Sequence, residues 1–106
     1  MTTFDKREDA FEKKFAHDEE LKFKAYARRN KMLGLWAAGV LGLSGSEAEE
    51  YAKQVVLADF EEAGEEDVFR KVKQDFAARG VSESEQTIRT KMAEFLKTAV
   101  EQIKAE

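Results

Sequence analysis

No proline interrupts any of the 106 residues of this chain. Proline locks φ and removes a backbone donor, so it is the most reliable helix breaker. Without it, helix ends must be set by glycine and by capping side chains alone. Lys, Glu, Ala, Arg and Gln, all good helix formers, dominate the rest. Charged residues make up 38% of the chain, against a globular average of about a quarter. The longest β-branched run is the pair Val55–Val56. These features predict an all-α protein, and the length fits one domain with a lean core.

Punctuation and period divide the chain into four helical segments. The first runs from about Asp18 to Leu41, where Tyr26, Leu33, Trp36 and Val40 recur on one face and Ala37 widens the stripe. Gly42, Ser44 and Gly45 break it. Ser46, with Glu49 three residues on, has the spacing of a capping box that opens a second helix. Tyr51, Ala52, Val55, Val56, Phe60 and Ala63 form its apolar face, and Gly64 suits its C-terminal cap. Glu65, Glu66 and Asp67 favour the positive end of a third helix. Val68, Phe69, Val72 and Phe76 line it, and Gly80 ends it. Ser82 with Glu85 predicts a second capping box. The last helix carries Ile88, Met92, Phe95, Leu96, Ala99 and Ile103. Short links make consecutive helices antiparallel neighbours. The predicted architecture is a four-helix bundle over residues 18–106 with a mobile, partly helical N-terminal arm over residues 1–17.

The arm is a narrow aromatic stripe on a charged cylinder. At 100° per residue, Phe4, Phe11 and Phe15 fall within about 40° of one another. Asp5, Lys6, Arg7, Glu8, Asp9, Glu12, Lys13 and Lys14 surround them, four of each sign. Alone, so short a helix is marginal in water. Two readings stand level on pattern: an extension of the first helix packed on the bundle, or a helix that docks in a partner's groove. The loose continuation into Tyr26 and Leu33 favours the first. The polar break His17, Asp18, Glu19 and Glu20 favours the second.

Several function classes are excluded or weakened. Cysteine is absent, which removes disulfides, thiol catalysis and thiolate metal sites. The net charge is −4 with interleaved signs, so there is no basic field to hold nucleic acid. Thr2, Thr3, Phe4, Asp5 and Lys6 begin no signal peptide. The apolar stretch Met32 to Leu43 has 12 residues, well short of the roughly 20 of a membrane span. A cytoplasmic location without direct membrane insertion is expected. One histidine, His17, makes no metal site, although its charge changes near neutral pH. Glu61, Glu62, Glu65, Glu66 and Asp67 lack the alternating oxygens of a calcium loop. Gly34, Gly39, Gly42 and Gly45 lack the strand and the Gly-Lys-Ser/Thr of a phosphate loop. Close helix packing accounts for Gly34 and Gly39, and a turn for the other two. Trp36 reads as core. Arg28, Arg29 and Lys31 read first as a solvated helix face and second as a seat for phosphate or an acidic partner. No catalytic residue, metal or cofactor is expected, and the chain reads as a partner-binding protein rather than an enzyme.

The run FDKREDAFEKKFAHDEELKFKAYARRNKMLGLWAA resembles the zeta-subunit inhibitors of alphaproteobacterial F-type ATP synthases. YAKQVVLADFEEAGEEDVFRKVKQDF and IRTKMAEFLKTAVEQI are similar to the same family. KFAHDEE, ARRNK, LGLWAA and DFEEAGEEDVFRK are the most specific phrases, and the similarity covers nearly the whole chain. The resemblance implies a four-helix bundle with an N-terminal inhibitory segment, here about Met1 to Glu19. In the family that segment enters the catalytic sector near an α/β interface and the rotating central stalk, and blocks ATP hydrolysis more than synthesis. Within that segment the expected partner-binding residues are Phe4, Arg7, Glu8, Phe11, Glu12, Phe15 and His17, and the resemblance implies a protein peripheral to the inner membrane through ATP synthase. The alternatives are a bundle that binds an adenine nucleotide weakly through Arg28, Arg29 and Lys31, and an assembly factor that does not inhibit.

Overall fold

The computed structural model describes residues 19–58 and 66–105. The predicted arm at 1–17, and with it Phe4, Phe11, Phe15 and His17, lies outside the described residues, as do Phe60, Ala63 and Gly64. The described residues form four helices: α1 (Glu19–Val40), α2 (Gly45–Ala58), α3 (Glu66–Ala78) and α4 (Glu85–Ala105). α1 is the hub, packing against α2, α3 and α4.

Glycine ends α1 and α3 by the same device. Gly42 and Gly80 take φ of +82° and +73°, a left-handed conformation that costs a residue without Cβ little. After α1, Leu43 donates its N–H to the Ala38 carbonyl at 2.8 Å and Gly42 to Gly39 at 3.1 Å. After α3, Val81 donates to Phe76 at 2.8 Å and Gly80 to Ala77 at 3.2 Å. Both are Schellman motifs, which satisfy carbonyls that the helix leaves open. Leu43 and Val81, the residues just past each glycine, pack back on the core.

The helix starts differ from the predicted capping boxes. α2 opens at Gly45, one residue before Ser46, with the Ala48 N–H on the Ser44 carbonyl at 3.4 Å. α4 is capped by Ser84 rather than Ser82: the Thr87 N–H donates to Ser84 Oγ at 3.1 Å. Glu85 does not reach back to a serine but receives the Lys73 ammonium from α3. The Ser-x-x-Glu spacing was present at Ser82, but the chain had not yet turned into helix there.

Two apolar clusters hold the helices. The larger draws on all four, with Leu33, Ala37, Tyr51, Val55, Val68, Val72, Phe76, Ile88 and Met92 among its buried members. Each large side chain fully buried there contributes about 1.5–3 kcal/mol. Trp36 packs on it edge-on to Phe76, ring centroids 5.7 Å apart, so the predicted core role holds. The smaller cluster draws on two helices only: Ala25 of α1 with Val100 and Ile103 of α4, flanked by Leu21 and Leu96. Gly34 lets α1 and α2 touch: a Cβ there would lie 2.6 Å from the Ala52 Cα. Gly39 has no such role, since a Cβ there would meet nothing within 4 Å.

Candidate functional site

The described residues nearest the arm are those of the α1 root. Ala25 is fully buried against Val100 and Ile103. Phe23 sits on the other side of the helix and is 54% exposed. The sequence reading missed it. The signal available was its place between Lys22 and Lys24, off the face that Ala25 and Leu33 share.

The basic run Arg28, Arg29 and Lys31 is divided between surface and interior. Lys31 is exposed, Arg28 half-buried, and Arg29 only 1% exposed. The Arg29 Nε donates to Asn30 Oδ1 at 2.7 Å, and its guanidinium lies 5.3 Å from the Tyr26 ring centroid. A buried guanidinium needs this kind of partner, because desolvating an unpaired charge is costly. The expected solvated face therefore does not include Arg29. Asn30 is fully buried beside it, and among the described residues its Nδ2 has no hydrogen-bond partner.

Along the α2–α3 seam run two shallow grooves that share Gln54. One, about 610 Å³, is lined by Leu41, Leu43, Glu47, Tyr51, Asp75 and Arg79 among others. The other, about 400 Å³, is lined by Leu57, Asp67, Arg70 and Lys71 among others. Between them the Tyr51 hydroxyl donates to Asp75 Oδ2 at 2.8 Å and the Lys71 ammonium donates to the same oxygen at 3.0 Å. Burial, and then the bond to Asp75, push the Tyr51 phenol far above its ordinary range. A tyrosine so held is a hydrogen-bond donor and not a proton carrier near neutral pH. Leu57, on the rim of the second groove, is 62% exposed.

Of the acidic run, Glu61, Glu62 and Glu65 lie outside the described residues. Glu66 takes a two-pronged bond from Arg89 at 2.8 and 3.0 Å, and Asp67 accepts from Arg70 at 3.0 Å. Glu66 thereby joins α3 to α4, while the Asp67–Arg70 pair lies within α3. Among the described residues no three His, Cys, Asp or Glu side chains are grouped to hold a metal ion. Nor is any helix among them long and apolar enough to cross a membrane.

The fold defines a small all-helical protein in which three described polar pairs, Tyr51–Asp75, Lys73–Glu85 and Arg89–Glu66, brace one helix against another. Comparison with known proteins places it within that class. A family model, ATPase inhibitor subunit zeta, matches residues 1–102, and the chain belongs to that family. Among solved structures it is similar to a protein determined by solution NMR, with 49% sequence identity and a TM-score of 0.71, over 80% of this chain and 96% of that one. A search of curated proteins finds no match. The family expected from the sequence is thus the family found, and its inhibitory role and its ATP synthase partner come with it.

Proposed function

We propose that residues 1–17 dock as an amphipathic helix in the catalytic sector of F-type ATP synthase, at an α/β interface beside the central stalk, and block ATP hydrolysis. The observation that carries this is the family match starting at residue 1, which takes in a segment whose three phenylalanines, Phe4, Phe11 and Phe15, fall on one stripe. Burying each ring contributes about 2–3 kcal/mol. Ordering the segment offsets a substantial part of that. Arg7, Glu8, Glu12 and Lys13 set the register by charge complementarity. His17 adds a charge that changes near neutral pH. The bundle tethers the segment and raises its effective concentration at the cleft. A helix wedged in a cleft that must close stops the rotor. Through this partner the protein works at the cytoplasmic face of the inner membrane without entering it.

Deleting residues 1–17 should abolish inhibition of ATP hydrolysis by the purified catalytic sector while leaving the melting temperature of the bundle nearly unchanged. A truncated bundle that inhibits as strongly as the full chain would sink the proposal. Phe11→Ala with Phe15→Ala should weaken inhibition by more than tenfold. If it instead lowers the melting temperature, the stripe belongs to the bundle. Adenine nucleotide binding at Arg28, Arg29 and Lys31 is the weaker reading, because Arg29 already serves the interior. Titration with ADP, followed by amide chemical shifts of these three residues, tests it directly.

A further inference from the structure

We propose that the groove between the start of α2 and the end of α3 seats an arginine side chain of the ATP synthase catalytic sector, outside the cleft that takes residues 1–17. The identity of the partner rests on the reading above, while the preference for a cation rests on the groove itself. Its volume is about 610 Å³, within the usual range of ligand sites. Leu41 and Leu43, half-buried at the edge of the core, give it an apolar wall. Glu47, Glu50 and Asp75 supply carboxylates, and Arg79 supplies the one guanidinium.

The carboxylates of α2 and α3 differ in how they are matched. All three of α3 meet cations: Glu66 meets Arg89, Asp67 meets Arg70 and Asp75 meets Lys71. Glu47 and Glu50 are exposed, and neither forms an ion pair among the described residues. They lie on one face of α2, one turn apart, where like charges repel and a cation between them relieves the repulsion. The helices around them offer little to do so. The last turn of α1 carries no basic residue, and Lys53 is the only one in α2. Arg79, exposed on the far lip, leaves the lining with more negative than positive charge.

An apolar wall beside unmatched carboxylates suits a cation on an aliphatic stem. A guanidinium is planar, weakly hydrated and able to bond two carboxylates from one position, and its stem covers apolar surface while the charge stays at the rim. The described acids, by contrast, are not grouped closely enough to hold a metal ion. A contact of this kind, added to that of residues 1–17, holds the bundle to its partner at two points, so that each contact raises the effective concentration of the other.

Titrating the full chain with N-acetylarginine amide, followed by amide chemical shifts, tests the seat. Shifts should concentrate at Leu43, Glu47, Glu50 and Arg79, and should shrink about threefold or more in Glu47→Gln with Glu50→Gln. The neutral N-acetylglutamine amide should leave these amides in place. No shifts, or equal shifts with the neutral probe or in the double variant, would overturn the proposal. Arg79→Gln removes the competing cation and should enlarge the shifts; a decrease would mean that the groove prefers an anion and would end the proposal. Opposite signs from the two variants separate a seat for charge from a loss of structure. In a hydrolysis assay with the catalytic sector at low salt, the double variant should raise the half-inhibitory concentration about fivefold and Arg79→Gln should lower it, both differences shrinking at high salt. An unchanged value, in the same assay where deletion of residues 1–17 still abolishes inhibition, would overturn this use of the groove while the arm reading survives. If the deletion leaves inhibition intact, the arm reading falls, and the arginine probe still decides the groove's preference.

Discussion

The α1–α2 and α3–α4 seams join neighbouring helices of the same bundle by opposite means. Between α1 and α2 the backbones nearly touch, with Gly34 facing Ala52 and Val55, and Ala37 and Ala38 buried nearby. Between α3 and α4 long side chains span the gap. Glu66 and Arg89 form their two-pronged pair, Arg89 lies 3.9 Å from the Phe69 ring centroid, and Lys73 reaches Glu85. One seam is decided by volume, which no change of solvent relieves. The other is decided partly by exposed charge, which salt and acid weaken. A chain rich in charge but short of apolar bulk can build a bundle this way, reserving close packing for one side.

The comparison breaks most sharply at Gly34. Gly34→Ala puts a methyl against the Ala52 backbone, which cannot move aside as a side chain could. Overpacking of this kind costs about 1–3 kcal/mol, and it should outweigh the gain of about 1 kcal/mol in helix propensity. The melting temperature should fall by the same amount in low and high salt. Gly39→Ala is the control on the same helix: with open space around it, the propensity term acts alone and the melting temperature should rise. If both substitutions move stability in one direction, the α1–α2 seam is not set by backbone contact.

The α2–α3 seam is intermediate, and Tyr51→Phe measures its polar part. The change keeps the ring among its core neighbours and removes only the hydroxyl that donates to Asp75. A loss of about 1.5–3 kcal/mol in chemical denaturation is expected for a hydrogen bond to a carboxylate. No loss would mean that Lys71 alone satisfies Asp75. Slightly smaller is the cap of α4. Ser84→Ala should cost about 1 kcal/mol, while Ser82→Ala should cost almost nothing, and the reverse result would restore the capping box read from spacing.

Helix number, order and most core faces were legible because a proline-free chain leaves its signals to period and glycine. Leu33, Val55, Val72, Phe76, Ile88 and Met92 were all read from spacing and are all buried. Gly42 and Gly80 were read as helix ends, and their positive φ values give the reason. The cap at Ser84 was not legible, because the Ser82–Glu85 spacing fits a capping box equally well and only the backbone path decides between them. Nor was Arg29, since a charged residue among charged residues reads as solvated. Its burial depends on the helices around it, which no local pattern encodes. The proposed site was legible only as a stripe, Phe4, Phe11 and Phe15, which lies outside the described residues, with a family resemblance to suggest where such a stripe goes. Phe23 escaped because one aromatic between two lysines has no period of its own.

The smallest expected effect also separates the two seams most cleanly. The Arg89 guanidinium, chiefly by hydrogen bonding, holds the Glu66 carboxyl below its ordinary value of 4.5, and Lys73 does the same for Glu85. A carboxyl whose folded pKa is lowered contributes stability that is fully present above its unfolded value. That contribution is lost as pH falls below about 4.5 and through the lower folded value. Both carboxylates are exposed, so the contribution is small and screened by salt. Stability measured by denaturant between pH 6 and pH 3 should therefore decline less in Glu66→Gln than in the parent, and less still in Glu66→Gln with Glu85→Gln. High salt should shrink the difference between parent and variants. Gly34→Ala should keep the parent's acid dependence unchanged at its lower level of stability. If the glutamine variants follow the parent's pH profile without change, the charges across α3 and α4 are ornaments on a seam that Val68, Val72, Ile88 and Met92 close by themselves, and the contrast between the two seams reduces to one of backbone distance.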